Sequence, residues 1–386
     1  MARHVLKFGG TSIGSIEKII DVAKLIKKKL AENNEIIVVV SAMSGITNDL
    51  ILKAQSLSKN FDKAELDVLL ATGEQVSCSL LSAALIDQGC KSRSWLSWQI
   101  PILTEGPHNS ARITELKIKE IDQFLKSKGV PVIPGFQGIT KDFRLTTIGR
   151  GGSDASAVAI AKFFNADCCE IYTDVEGVYT TDPSIQPKAK KIDKISYEEI
   201  LEMASLGTKV IQTSAVQIAM LNNISVHVRS TFSEKEGTKI LPAEILDYKK
   251  SVTGISFSKN DAKITLIGVT DRPGVAAAVF DPLGKQNINV DMVIQNISPN
   301  GKETDITFTI KRDQLNKSID LMNEIKSKIY YKKLVYDDKV AKISIIGAGM
   351  VVSSGITHKM FKSLADENIN IIAISTSEIK ISVLVK

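Results

Sequence analysis

A glycine-rich segment, Thr147–Ala157, constrains this chain more than any other stretch. Its sequence is Thr-Ile-Gly-Arg-Gly-Gly-Ser-Asp-Ala-Ser-Ala, and three glycines in four positions let another molecule approach the backbone amides closely. The alanine-rich residues 155–164 predict a helix directly after these glycines, with Ser153 or Asp154 as its N-cap. Such a turn is suited to anions, because the unpaired amides and the positive end of the helix dipole point the same way.

Arg150 adds a planar guanidinium to this segment, and a guanidinium can bind a carboxylate or a phosphate through two hydrogen bonds. For a lone motif, a tight strand-to-helix turn whose glycines serve only the geometry is the simpler interpretation, since short motifs occur by chance. The rest of the chain decides between an anion-binding turn and a turn with a purely geometric role.

Length and composition bound the possible classes of protein. With 386 residues the chain can form two or three domains, each with its own core. A hydrophobic fraction of 44% and a charged fraction of 24% are those of an ordinary soluble protein. The net charge is +6, but the basic residues are scattered and only 5% of the residues are aromatic, which argues against a nucleic-acid partner.

The cysteines and histidines give no sign of a metal site. Cys78, Cys90, Cys168 and Cys169 form no CxxC pair, and the four histidines lack the spacing of zinc ligands. We see no signal peptide and no apolar run of about 18 residues. The expectation is therefore a cytoplasmic protein without a membrane partner.

Strands and helices alternate through the first part of the chain. Residues 3–8 and 36–40 are predicted strands on either side of a helix at 15–31, and the second strand is apolar throughout, as in the centre of a parallel sheet. The alternation predicts a three-layer α/β domain, which binds ligands at the carboxyl ends of its strands. The polar loops that follow predicted strands are residues 7–12, 41–48, 149–154 and 173–182.

The last third of the chain contains an internal repeat. Residues 262–268 recur as 341–347, and residues 286–290 recur as 367–371 at nearly the same spacing. Each copy predicts a strand–loop–helix–strand–strand unit, and the first copy adds a further helix that the second lacks. Polar residues 232–250 precede the repeat and predict a linker.

Neither a P-loop nor the protein-kinase signature set is present. Instead, five motifs in a fixed order resemble those of the aspartokinases, which have the amino-acid-kinase fold. The repeated C-terminal modules resemble the paired ACT domains of the same family. The motif residues are Lys7–Ser12, Ser41–Asn48, Thr72–Glu74, Thr147–Asp154 and Ile171–Pro183.

The resemblance implies an α/β protein with a three-layer αβα amino-acid-kinase-like catalytic domain at residues 1–243. Two ferredoxin-like ACT regulatory modules are expected to follow, at 251–335 and 336–386. The second module ends early by comparison with the family, so we expect it to be truncated unless a segment such as Ser251–Ser258 fills the vacant strand position. The family implies a homodimer or a higher oligomer formed through the ACT modules.

The activity implied by the resemblance is transfer of the γ-phosphoryl group of ATP, bound with Mg²⁺, to the side-chain carboxylate of L-aspartate. The product is 4-phospho-L-aspartate, and the reaction is the first step of lysine, threonine and methionine biosynthesis. A carboxylate with a pKa of roughly 4 is ionised at neutral pH and needs no general base. The protein therefore has to bring two anions together and stabilise charge on the transferred group.

Residues of this chain match the functional positions of the family. Lys7 is expected to contact the transferred phosphoryl group, and Asp154 to orient Lys7 or a Mg²⁺-bound water, with no protein metal ligand. Arg150 would bind the α-carboxylate of aspartate and Glu74 its α-ammonium. The other substrate-binding positions are Ser41, Thr47, Gly151 and Ser153, and the nucleotide-binding positions are Lys7, Gly9, Gly10, Thr173, Asp174, Tyr179, Asp182 and Lys209.

The ACT modules imply regulation by an amino-acid effector, namely lysine, threonine or both. In the first module, the loop 271–276 presents backbone amides before a predicted helix, an arrangement suited to an effector carboxylate. The predicted allosteric positions are Asp271, Gly274, Ala276, Asp291, Gln295, Asn296, Thr304 and Asp305.

Two further hypotheses stay open at this point. One is a kinase of the same fold that acts on glutamate, acetylglutamate, carbamate or UMP, although those enzymes lack tandem ACT modules. The other is a non-catalytic amino-acid sensor with an inert kinase half, which the presence of Lys7, Glu74, Arg150 and Asp174 argues against.

Overall fold

The computed structural model describes residues 1–149, 151–205, 210–246, 250–297, 302–353 and 355–386. Two compact units are formed by Met1–Asp247 and Tyr248–Lys386. The helices of the first unit are α1 (Ile16–Ala31), α2 (Ile46–Leu57), α3 (Lys63–Asp87), α4 (Lys119–Lys126), α5 (Gly152–Phe163), α6 (Tyr197–Ser205) and α7 (Thr213–Asn222). Its strands are β1 (Arg3–Phe8), β2 (Glu35–Val40), β3 (Ser92–Ser94), β4 (Ile102–Glu105), β5 (Arg112–Leu116), β6 (Val130–Pro134), β7 (Gln137–Ile139), β8 (Leu145–Thr147), β9 (Cys168–Thr173), β10 (Lys194–Ser196), β11 (Val226–Ser230) and β12 (Thr238–Leu241).

The main sheet of the first unit has eight strands in the order β10-β12-β11-β9-β1-β2-β6-β3. Strand β1 lies at its centre and pairs in parallel with β2 and with β9. The strands are apolar because both faces of the sheet are covered. The predicted three-layer α/β architecture is confirmed.

Successive side chains of a strand point to opposite faces of the sheet. Helices α1 and α3 share one apolar cluster with the even-numbered residues of β1 and β2. Helix α5 packs against β1, β2 and β9 from the other side. Lys7 is odd-numbered, so its side chain points to the α5 face. The alternation of the strand thus decides which helix Lys7 meets.

A small four-stranded sheet in the order β5-β4-β7-β8 stands beside the main sheet. The sequence pattern did not predict it, because its strands are only three to five residues long and carry polar side chains. Its last strand, β8, leads directly into the glycine-rich segment and then into α5. The small sheet therefore supports the segment that the sequence singled out.

Helix α5 begins earlier than the sequence predicted. Its N-cap is Gly151, which has a φ of +69° and makes no side-chain capping bond. The prediction of Ser153 or Asp154 as N-cap is therefore wrong, and both residues lie buried in the first turn. Glycine adopts the left-handed conformation without steric cost. The N-cap is therefore Gly151, two positions before Ser153, the first residue that the sequence predicted as N-cap.

Among the described residues, one helix, α3, has the length and composition of a membrane span. Half of its apolar stretch is buried within the protein, and the buried side chains include two acids, Asp67 and Glu74. Helix α3 packs against α1 and against the sheet, and its two buried acids face protein. These contacts are those of a core helix.

The second unit contains two helix-covered modules on one sheet. Its helices are α8 (Val275–Lys285), α9 (Leu315–Glu324) and α10 (Ile356–Asp366), and its strands are β13 (Gly254–Thr270), β14 (Val293–Ile297), β15 (Glu303–Lys311), β16 (Lys333–Ile346), β17 (Ile371–Thr376) and β18 (Lys380–Val385). The strand order is β14-β15-β13-β16-β18-β17. The strand order is that of two ferredoxin-like sheets joined side by side.

The long strands β13 and β16 belong to both modules. The first part of β13, Gly254–Ser258, pairs with Lys342–Ile346, which pairs in turn with β18. The later part of β13 pairs with β15 and with the first half of β16. The strand position expected to be vacant in the second module is therefore filled by Gly254–Ser258, which lie at the N-terminal end of the segment predicted as the first module. The predicted domain boundaries themselves stay predictions.

Truncating a core leucine tests the packing of α3 on the sheet. Leu81→Ala removes a fully buried side chain and is expected to lower the free energy of unfolding by about 2–5 kcal/mol. The matched control is Leu57→Ala at the exposed end of α2, for which we expect a change within about 0.5 kcal/mol. Urea unfolding followed by the fluorescence of Trp95 and Trp98, both in the first unit, measures the difference. Equal midpoints for the two variants would contradict the described packing.

Candidate active site

Three loops predicted to meet at one edge of the sheet are hydrogen-bonded to one another. The amide of Gly9, after β1, donates to the Tyr172 carbonyl on β9 at 3.1 Å. The amide of Ser41, after β2, donates to the Phe8 carbonyl at 3.1 Å, and that of Ser44 to the Gly10 carbonyl at 3.2 Å. The carboxyl ends of β1, β2 and β9 thus form one continuous edge.

Lys7 lies at this edge and is buried. Its Nζ is 2.7 Å from Asp154 Oδ1 in the first turn of α5. Both side chains are about one-tenth exposed, so the charges are paired in a largely water-excluded place. The structure therefore brings together the two residues for which the sequence predicted a catalytic role.

Glycines next to Lys7 leave room for an anion. A Cβ on Gly10 would lie 2.7 Å from the Ala42 carbonyl oxygen, so only glycine lets these two loops approach so closely. A Cβ on Gly9 would stand 3.5 Å from Lys7 Nζ, on the side where the ammonium points. An ammonium group next to glycine backbone and a helix N-terminus is suited to binding the phosphate groups of a nucleotide.

Glu74 of α3 faces the same edge and is only 4% exposed. Its Oε1 accepts a hydrogen bond from the Ala42 amide at 3.0 Å, while Oε2 has no hydrogen-bond partner among the described residues. Burial raises the pKa of Glu74 from its ordinary 4.5 to about 7, although the Ala42 amide and the charge of Lys7 oppose the rise. An unpartnered, buried carboxylate oxygen is suited to a cationic ligand.

The other predicted aspartate-binding residues surround this edge. Ser41 follows β2 and Thr47 is the second residue of α2, and both are half-buried. Ser153 packs under the loop after β6, where a Cβ on Gly135 would come 2.9 Å from Ser153 Cβ. Gly151 caps α5, as described above. Arg150 lies outside the described residues.

The predicted nucleotide residues are placed less closely together. Thr173 ends β9, and its hydroxyl donates to Asp174 Oδ1 at 3.0 Å. The hydroxyl of Tyr179 donates to Glu176 at 3.2 Å, and Asp182 accepts from Ser184 at the start of a turn. Thr173 and Asp174 therefore share the edge with Lys7 through the β1–β9 pairing. Lys209 lies outside the described residues.

The sequence analysis missed several buried acids of the described residues, and two of them lie in the first unit on β9 and α3. Glu170 on β9 is 2.8 Å from Lys29 Nζ and 2.8 Å from the Tyr172 hydroxyl, and His4 approaches it at 3.2 Å. Burial alone would raise its pKa, but these three partners bring the pKa down to about 2. Asp67 of α3, fully buried, is the second. For Glu170, the available signal was an acid within a largely apolar strand.

No metal cluster accompanies these acids. Among the described histidine, cysteine, aspartate and glutamate side chains, no group of three or more is placed to hold a metal ion.

In the second unit, most predicted effector residues lie at one end of the first module. Asp305 Oδ1 accepts from the Gly268 amide at 2.8 Å, and the Thr304 hydroxyl donates to the Asn296 carbonyl at 3.1 Å. The Asp271 amide donates to the Lys302 carbonyl at 3.0 Å, and Gly274 caps α8, of which Ala276 is the second residue. Gln295 is the exposed neighbour of Asn296 on β14.

Asp291 is placed apart from that group. It lies before the start of β14, at the opposite end from Asn296, and its amide donates to the Thr309 carbonyl. Its carboxylate forms an ion pair with Lys342, on the part of β16 that belongs to the second module. The structure thus brings seven of the eight predicted positions toward one end and links the remaining one to the neighbouring module.

Comparison with known proteins identifies the family. The amino acid kinase family matches residues 2–230, and an ACT domain matches residues 264–324 and 343–386. An aspartate kinase of Stutzerimonas stutzeri is 44% identical over 387 positions, which cover 100% of this chain and 94% of that protein. The chain belongs to the aspartokinase family.

Solved aspartokinase structures share the fold. The aspartate kinase of Synechocystis is 41% identical with a TM-score of 0.58, and the match covers 99% of this chain and 66% of that one. Aspartokinase III of E. coli, solved in complex with aspartate and ADP, is 24% identical with a TM-score of 0.81, covering 99% and 96% of the two chains. The family assignment and the fold predicted from the sequence are confirmed.

The raised pKa of Glu74 predicts a pH-dependent stability. Ionised Glu74 is disfavoured in the folded state, so its contribution is fully present below about pH 4.5 and is lost as the pH rises through about 7. Glu74→Gln removes this titration and is expected to be more stable than the wild type by on the order of 2 kcal/mol at pH 8, and by much less at pH 5.

Urea midpoints at the two pH values measure this effect. Glu65→Gln is the control, because Glu65 lies on the exposed side of the same helix in an ion pair with Arg144. A stability difference for Glu74→Gln that is the same at pH 5 and pH 8 would contradict the raised pKa.

Proposed function

We propose that this chain transfers the γ-phosphoryl group of ATP to the side-chain carboxylate of L-aspartate, giving 4-phospho-L-aspartate. The observation that carries the proposal is the buried Lys7–Asp154 pair beside glycine backbone. It lies at the same sheet edge as Oε2 of Glu74, which has no hydrogen-bond partner in the described part of the chain. One part of this edge is suited to a phosphate and the other to an ammonium group. The names of the relatives, aspartate kinases over the full chain, support the choice of acceptor.

Lys7 has the central role in the transfer. Its ammonium would contact the moving phosphoryl group and stabilise the charge that develops there, in a site where few waters compete. Asp154 keeps that ammonium in place at the end of β1. Mg²⁺ on the ATP phosphates would neutralise part of their charge, and Asp154 could orient one of its waters.

The aspartate pocket is formed by residues from several elements. Glu74 would bind the α-ammonium through Oε2, and Arg150 the α-carboxylate through its guanidinium. Ser41, Thr47 and Ser153 would complete the pocket. Because the acceptor carboxylate is already ionised, the site needs no general base and acts by holding the two anions in line.

The nucleotide is assigned to the β9 side of the edge. Thr173 and Asp174 follow β9, while Gly9 and Gly10 offer backbone amides to the phosphates. Tyr179, Asp182 and Lys209 complete the proposed nucleotide site. This division places the two substrates on either side of Lys7.

Regulation is assigned to the second unit. We infer that lysine, threonine or both bind at the end of the first ACT module that holds Asp271, Asn296, Thr304 and Asp305, and that binding inhibits the kinase. The membership of the family supports two further parts of this proposal, a homodimer or higher oligomer formed through these modules and a cytoplasmic location.

Replacing Lys7 tests the catalytic assignment. Lys7→Met keeps most of the unbranched apolar stem but removes the charge, so we expect a loss of at least about 10²–10³-fold in kcat. Lys24→Met, at an exposed position in α1, is the control. The measurement is aspartate-dependent ADP release with aspartyl hydroxamate formation, and glutamate, acetylglutamate, carbamate and UMP are tested as other acceptors. Near-normal turnover by Lys7→Met, or preference for another acceptor, would refute the proposal.

An effector titration tests the regulatory assignment. Lysine and threonine are added alone and together to the aspartate-dependent reaction. Gln295→Ala removes an exposed side chain from the proposed pocket, and we expect half-inhibition to require at least tenfold more effector, about 1.4 kcal/mol. Lys317→Ala on α9 is the control. Wild-type inhibition in Gln295→Ala, or no inhibition of the wild type, would contradict this assignment.

A further inference from the structure

Asp67 is a fully buried carboxylate with no assigned role. Its Oδ1 accepts from the Thr147 hydroxyl at 2.5 Å and its Oδ2 lies 2.6 Å from His108 Nδ1. The Asn109 amide donates to both oxygens, at 3.1 and 3.2 Å. A buried carboxylate is stable only with such partners, so α3 and these three residues are held together firmly.

The partners of Asp67 flank the glycine-rich segment. Thr147 is its first residue, and its carbonyl accepts from the Ala111 amide at 3.0 Å. Asn109 touches the segment directly, because a Cβ on Gly149, whose φ is +83°, would lie 2.9 Å from the Asn109 carbonyl oxygen. Asp67 therefore fixes the entry to the segment through both Thr147 and the turn that packs on Gly149.

The same helix carries Glu74. Asp67 and Glu74 are seven residues apart, which is about two turns, so they lie on one face of α3 roughly 10 Å apart. Glu74 bonds the loop after β2, and Asp67 bonds the entry to the glycine-rich segment. One rigid helix thus sets the distance between the two.

We propose that Asp67 is a positioning residue, which places the glycine-rich segment relative to Glu74 and so sets the affinity for aspartate. This inference rests on the proposed function, in which Glu74 binds the α-ammonium of aspartate and the glycine-rich segment binds its α-carboxylate. Asp67 acts through Thr147 and Asn109 and does not itself contact substrate.

A purely structural role would have a different signature. Helix α3 has further hydrogen bonds to the small sheet, since Nε2 of Gln137 donates to the Ala71 carbonyl at 3.0 Å and Nε2 of Gln75 donates to Oε1 of Gln137 at 3.1 Å. The helix therefore stays docked without Asp67. A structural role would reduce the amount of folded enzyme and leave the KM for aspartate unchanged, whereas a positioning role changes that KM.

The test uses Asp67→Asn, which keeps the volume but turns an amide group toward donors. We expect the KM for aspartate to rise at least tenfold, the KM for ATP to change less than twofold, and kcat to fall by less than the rise in KM. Calorimetric aspartate affinity should weaken by the same factor. Thr147→Val should raise the KM for aspartate at least threefold. The double variant should resemble Asp67→Asn alone, because both changes break the same hydrogen bond, that between Thr147 and Asp67.

Asp62→Ala is the matched control. It removes the N-cap of α3, whose carboxylate accepts from the Ala64 and Glu65 amides, and so weakens the same helix without touching the segment. It should lower the melting temperature and leave both KM values unchanged.

The outcomes separate the proposals. A folded Asp67→Asn enzyme with an aspartate KM within twofold of the wild type, or additive effects in the double variant, overturns the positioning role. If Asp67→Asn does not fold, an unchanged KM in Thr147→Val overturns it. A wild type without aspartate-dependent turnover refutes the proposed function and this inference together, whereas normal wild-type turnover with an unaffected Asp67→Asn refutes only the inference.

Discussion

A buried ion pair between the end of a strand and the first turn of a helix organises the N-terminal unit. Lys7 leaves β1 on the face covered by α5, and Asp154 meets it from that helix. Neither charge would be stable there alone, because the cost of removing an ion from water is large. The pair therefore holds the start of α5 over the end of the central strand, and the surrounding loops assemble around the ammonium.

Two buried glutamates show how partners decide what a carboxylate does. Glu170 has Lys29, His4 and the Tyr172 hydroxyl around it, and its pKa falls to about 2, so it is a permanent anion within a filled network. Burial raises the pKa of Glu74 to about 7, because the Ala42 amide and the charge of Lys7 only partly offset the loss of water around its carboxylate. The first carboxylate is already neutralised by its neighbours, whereas the second leaves one oxygen for a cation that arrives from outside.

The sequence predicted the elements that repeat a simple pattern and the motifs that resemble a known family. It placed β1, α1 and the carboxyl-edge loops, because an apolar strand and an amphipathic helix are local features. It missed the small sheet, whose short polar strands are stable only through pairing, and it misplaced the start of α5, which depends on the conformation of Gly151. Asp67 could not be assigned from sequence, because its partners are about 40 and 80 positions away.

The two ACT modules share their central strands, since β13 and β16 each run through both. A single hydrogen-bonded ladder is therefore continuous from β14 to β17, and neither module can be excised without leaving the other with an unpaired edge. A shift of β13 or β16 in one module therefore moves backbone that the other module also uses. The second unit is thus one continuous sheet, in which neither copy of the repeat has all of its strands without residues from the other.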